Sequence, residues 1–187
     1  MENISRRTAI KTALVGGAAL AVSGLEAANP AKKKKAETKE PLKGNVRHSV
    51  SKWCFGDYPL EEFCGICKNI GIESIELLDP KDWPVVQKHG LTVAMCQGAG
   101  LGIDRGFNDP KLHDELVASY EAVIPQVAAA GLTNLICFSG KRNGLTDLQG
   151  WENCEKGLKR LMPLAEKHNV VLTMELLNSV GHKDYQC

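Results

Sequence analysis

From Val46 onward the chain alternates short apolar runs with stretches whose apolar residues recur every three or four positions. Val46 to Phe55 reads as a strand that ends near Gly56. Pro59 to Ile70 then carries Leu60, Phe63, Cys64, Cys67 and Ile70 on one helical face, with Pro59 suited to a first turn and Gly71 to a helix end. Ser74 to Leu78 predicts a second strand, 81–88 a short helix, and Leu91 to Cys96 a third strand. The next helix is expected over 110–130, its inner face made by Leu112, Leu116, Tyr120, Val123, Ile124 and Val127, with Pro125 kinking or splitting it. Thr133 to Phe138 is the fourth strand. Asp147 can cap a helix running through His168, with Trp151, Cys154, Leu158, Leu161, Met162 and Ala165 inside and Pro163 as a second kink. Val170 to Leu177 is the fifth strand.

Strand and helix thus alternate four times before a last strand, the pattern of an α/β protein with a parallel sheet and right-handed crossovers. Two architectures fit, a doubly wound sheet and a (β/α)8 TIM barrel. The turn after the first strand, Phe55-Gly-Asp57, lacks the glycine-rich phosphate loop of a dinucleotide-binding sheet. Gly98, Gly100 and Gly102 after the third strand have the wrong spacing for one, and read as an active-site loop or a plain connector. Periodicity alone does not choose between the architectures.

The 187 residues fit one domain, and a hydrophobic fraction of 43% supplies a core. The net charge of +1 hides an asymmetry: residues 1–45 hold nine Lys/Arg against four Asp/Glu, the remainder fourteen against eighteen. The globular part is mildly acidic, which argues against nucleic acid as a partner. The seven cysteines are odd in number and lie mostly in apolar runs, so they read as reduced core residues. Cys64-Gly-Ile-Cys67 has a redox or metal spacing, but both thiols fall on the buried helix face.

Residues 1–28 resemble a twin-arginine export signal: Ser5-Arg-Arg-Thr-Ala-Ile-Lys11 precedes the uncharged run Ala13 to Leu25, which is shorter than the about 20 residues of a membrane span. Ala9 departs from the Phe usual there. The resemblance implies export to the periplasm, with membrane contact only through the leader. Residues 29–45, including Lys32-Lys-Lys-Lys35, form a charged linker.

Four segments resemble the hydroxypyruvate isomerase branch of the xylose isomerase-like barrels: Ser49-Val-Ser-Lys-Trp-Cys-Phe55, Gly71-Ile-Glu-Ser-Ile-Glu-Leu77, Ala129-Ala-Gly-Leu-Thr-Asn-Leu135 and Leu172-Thr-Met-Glu-Leu-Leu-Asn178. The resemblance implies that residues 46–187 are the first five strands and four helices of an eight-stranded barrel. Its active site would lie at the C-terminal strand ends, around a divalent metal, Mg²⁺ or Mn²⁺. Glu175 matches the family's first metal ligand and one of its two acid–base glutamates. The second glutamate and the Asp and His ligands would lie beyond Cys187, so the chain reads as truncated, inactive by itself and not stably folded. Trp53, Glu76 and His182 are the candidate substrate contacts; Trp53 and His48 could equally pack inside the barrel, and Glu76 could be a structural ion pair. His89, His113 and His168 read as solvated. The implied reaction is aldose–ketose or hydroxypyruvate isomerisation of a small sugar or hydroxy-carbonyl compound, and a homo-oligomer is compatible with it. A ketose 3-epimerase, an exported non-catalytic sugar-binding barrel and a thiol-redox protein are the alternatives; a zinc-dependent abasic-site endonuclease is disfavoured by the acidic body and the leader.

Overall fold

The computed structural model describes residues 45–175 and 177–185. Residues 1–44, on which the expected leader and nearly all of the expected linker fall, lie outside them, as do Leu176, Gln186 and Cys187. The order of elements is β1 (Ser49–Ser51), α1 (Leu60–Ile70), β2 (Ser74–Glu76), α2 (Trp83–Lys88), α3 (His113–Ala129), β3 (Asn134–Phe138), α4 (Asp147–Lys159), α5 (Met162–His168) and β4 (Val171–Glu175).

β1 pairs in parallel with β2, Ser51 opposite Glu76, and β3 pairs in parallel with β4, Phe138 opposite Glu175. The segment 92–96 joins the two pairs. It forms bridges from Thr92 to Ser74 and from Cys96 to both Leu78 and Leu135 rather than the regular strand that its apolar run predicts. Its backbone nevertheless bonds on both sides: the Ile75 N–H donates to the Thr92 carbonyl, and the Ile136 N–H to that of Cys96. The lateral order is therefore β1, β2, 92–96, β3, β4, which is chain order. A doubly wound sheet reverses direction at a switch point, whereas a barrel lays each strand beside its predecessor. The pairing order thus decides what periodicity left open.

α1 begins at Pro59 and ends at Gly71, which adopts φ 85° and returns its N–H to the carbonyls of Cys67 and Lys68. α3 runs unbroken through Pro125, where a kink or split is expected; a short 3-10 turn, Pro110–Leu112, precedes it, capped by the Asp109 side chain. The helix expected to continue to His168 is two helices, with Pro163 in the first turn of α5. The cap of α4 is Thr146 rather than Asp147: Thr146 Oγ1 accepts from the Gln149 N–H, and the Gln149 side chain accepts from the Thr146 N–H. Trp151, expected inside, is 70% exposed. The buried positions of α4 are Gly150, Cys154 and Gly157. A Cβ at Gly157 would lie 2.7 Å from the Phe107 ring and 2.9 Å from His113 Nε2. Close approach through glycines turns that face inward and leaves Trp151 outside.

Each strand gives alternate residues to the helices. Val50, Ile75, Leu135, Cys137, Leu172 and Met174 pack with Phe63, Trp83, Leu116, Ile124 and Leu161 in one apolar layer. Buried polar atoms in this layer are paired: Trp83 Nε1 donates to the Leu78 carbonyl at 2.7 Å and the Tyr120 hydroxyl to that of Ile136 at 3.0 Å. His113 is buried, not solvated, and its Nε2–H donates to the Phe107 carbonyl at 2.8 Å. Cys64, Cys67, Cys96, Cys137 and Cys154 are buried and free, as their apolar surroundings predict.

Candidate active site at the strand ends

Because the strands are parallel, their C-terminal ends share one edge of the structure. Glu76 is the last residue of β2 and Glu175 the last of β4. Ile75, Leu172 and Met174 belong to the helix-side layer, so strand alternation turns Glu76 and Glu175 to the opposite, inner face. Glu76 is half-buried and Glu175 exposed. Neither carboxylate makes an ion pair or hydrogen bond among the described residues. The ion-pair fate considered for Glu76 is therefore not the one found. Directly after Glu76, Leu77 takes a left-handed φ of 60°, uncommon for a residue with a branched side chain.

Trp53 stands in a 3-10 turn, Lys52–Phe55, that follows β1 where an extended strand is expected, and it is 72% exposed. His182 lies in the turn after β4. There Asn178 Oδ1 accepts from the N–H groups of Val180 and Gly181, and the His182 ring meets Tyr185 with centroids 5.5 Å apart. All four predicted residues thus follow or end strands on one edge: Trp53 after β1, Glu76 at the end of β2, and Glu175 and His182 at and after the end of β4. His48 precedes β1, at the opposite end.

The sequence did not single out the residues that organise this edge. Phe107 and Asn108 donate their N–H groups to the carbonyls of Phe138 and Ser139, laying the loop after 92–96 alongside the end of β3. Gly106 permits the approach: a Cβ there would come within 2.3–2.4 Å of backbone atoms of Phe138, Ser139 and Gly140. Asn108 Nδ2 then donates to the Lys141 carbonyl at 2.6 Å. Beside this crossing is a cavity of about 360 Å³ whose lining includes Asn108, Lys111, Lys141 and Asn143. None of the four predicted residues lines it. The only available signal was the glycine content of 98–106 and of 140–144, which marks close backbone contact without naming the partner.

The cysteine pair on α1 is ill suited to redox chemistry. Burial, followed by the neighbouring Cys67, pushes the Cys64 thiol up to about 11, and burial raises Cys67 as well. A redox nucleophile needs the opposite shift.

No protein-family model matches the sequence, and no curated protein matches it. Solved structures do. A D-psicose 3-epimerase crystallised with D-fructose superposes with a TM-score of 0.54 at 11% identity, over 71% of this chain and 53% of that one. A 3-keto-D-glucoside 4-epimerase from E. coli gives 0.57 at 16%, over 76% and 59%. A xylose isomerase domain-containing protein from Salmonella typhimurium gives 0.52 at 18%, over 70% and 49%. The chain is a mixed α/β fold similar to part of the TIM barrels of these structures. At these identities the likeness is one of fold, and the chain spans about half the length of the structures it matches. Five strand positions in barrel order, with the helix-side layer behind them, are the barrel features it displays.

Proposed function

We propose that this chain belongs to an enzyme that isomerises or epimerises a small sugar or hydroxy-carbonyl compound, with Glu175 as an acid–base carboxylate. The supporting observation is Glu175 itself: an exposed, unpaired carboxylate among the described residues, at the end of β4, in a fold shared with sugar epimerases. A carboxylate so placed can take a proton from a carbon next to a carbonyl, giving an enediol. Return of the proton to the neighbouring carbon isomerises the substrate, and delivery to the opposite face of the same carbon epimerises it. Trp53 and His182 are the groups proposed to contact the substrate, with Glu76 as a further polar contact.

The sequence segments favour a hydroxypyruvate-type isomerase. Epimerisation of a ketose is the second reading, favoured by the two epimerases among the fold neighbours. Glu175 is also the proposed first ligand of Mg²⁺ or Mn²⁺, for which a carboxylate oxygen is a suitable hard donor. Among the described residues no three His, Cys, Asp or Glu side chains group into a metal site. They therefore do not by themselves complete one; the proton abstraction above is assigned to Glu175, and delivery to the opposite face in epimerisation needs a second acid on that face. Export to the periplasm through residues 1–28 belongs to the same proposal.

The test is incorporation of solvent deuterium into substrate carbon, followed in D₂O with hydroxypyruvate, D-fructose and D-psicose. The full-length protein should exchange at least one of them, and Glu175→Gln should slow exchange by about 10²–10⁴-fold, the range for a lost acid–base group. Exchange by the variant at the parental rate would remove Glu175 from the chemistry. Absence of exchange with every sugar would favour a binding protein.

A further inference from the structure

Three successive strand-end connections converge on Asp104. Its Oδ2 is 3.1 Å from Lys141 Nζ, and its carbonyl accepts from the Lys141 N–H at 3.0 Å. Lys141 in turn pairs with Tyr185 in an antiparallel bridge, while the next residue, Arg142, donates its N–H to the Asp184 carbonyl. The Asp104 carboxyl is held below its ordinary range by the Lys141 ammonium and then by the Tyr185 hydroxyl, and the same hydroxyl contact raises Tyr185. Asp104 belongs to the loop after 92–96, Lys141 to the loop after β3, and Tyr185 to the turn after β4 that carries His182. The Tyr185 N–H donates to the His182 carbonyl and the two rings touch, so fixing Tyr185 fixes His182.

We infer that Asp104, Lys141 and Tyr185 form a clasp that positions the turn 178–185, and with it His182, against the end of β3. These are positioning residues: they act on the substrate through His182, so their role in turnover rests on the function proposed above. The clasp also explains why Gly106 and Gly140 must let two backbones touch. Without that approach, Asp104 does not reach Lys141.

Amide hydrogen exchange on the full-length protein tests the clasp without reference to activity. Asp104→Ala and Tyr185→Phe should each speed exchange across 178–185 by about two- to fivefold, the range an exposed ion pair sustains. Amides of β3 should stay unchanged, and Asp104→Glu should restore part of the protection. Unaltered exchange at 178–185 in both variants would overturn the clasp. Action through His182 is read from a cycle: Asp104→Ala and His182→Ala should each raise KM, and the double variant should raise it no further. Additive effects would overturn the positioning role. A protein that turns over no sugar would defeat the proposed function, while exchange would still decide the clasp.

Discussion

The two faces of this sheet are built on opposite terms. On the helix side, Ile75, Leu135, Ile124 and Trp83 are almost wholly buried, and Tyr120 and Trp83 each spend a polar hydrogen on a backbone carbonyl. At the strand ends, Trp53, Glu76 and the pair Glu175 and His182 stand on three different connections, and the links that hold this edge run through other residues, Asp104, Asn108 and Lys141. Apolar burial is non-directional and roughly proportional to the area removed from water, so the helix side draws its stability from many residues at once. Strand-end groups work by position, which comes from a few backbone crossings and exposed polar contacts. Stability should therefore reside on one face and chemistry on the other.

The sharpest test of that division is Leu135→Ala, in the middle of the helix-side layer. Removing its side chain should cost about 2–5 kcal/mol, read as a lower denaturation midpoint in urea. A loss as small as that of a surface substitution would break the contrast. Gly106→Ala tests the boundary between the faces. Its new Cβ would meet only backbone atoms, which cannot swing aside as a side chain can. A loss of about 1–3 kcal/mol is expected from overpacking, together with faster exchange at the Phe107 and Asn108 amides that bond β3. The smallest effect is expected at the strand ends: Glu175→Gln and Trp53→Ala should move stability by no more than about 0.5 kcal/mol. A larger loss at Trp53 would mean that its exposed indole carries packing after all.

The alternation of elements, the apolar face of α1 apart from Ile70, which is 54% exposed at the helix end, the Gly71 helix end and the buried state of Cys64 and Cys67 could be read from sequence, because each follows from local periodicity or local backbone geometry. The errors have one common source. Spacing predicts Trp151 inside, yet α4 turns Gly157 inward because Phe107 and His113 come from elsewhere to meet it. His113 sits in a polar stretch and is buried for the same reason. The segment 91–96 has the apolar content of a strand, but it is bridged only at Thr92 and Cys96. Glu175 was legible as a candidate through the resemblance of its segment and His182 through its place on the loop just beyond it, whereas Asp104, Lys141 and Tyr185 were not. Nothing local distinguishes a lysine that joins three loops from one that is solvated.

The sequence by itself determined most of the apolar positions of the strands and of α1 and α3, where most helices end, and that strands and helices alternate, since these depend on neighbours within a turn or two of chain. The tertiary structure decided that the strands lie in chain order, that Glu76 and Glu175 share one edge, and that Asp104 reaches across to Lys141 and Tyr185. Those outcomes depend on hydrogen bonds and close backbone approaches between residues tens of positions apart, which local periodicity does not encode.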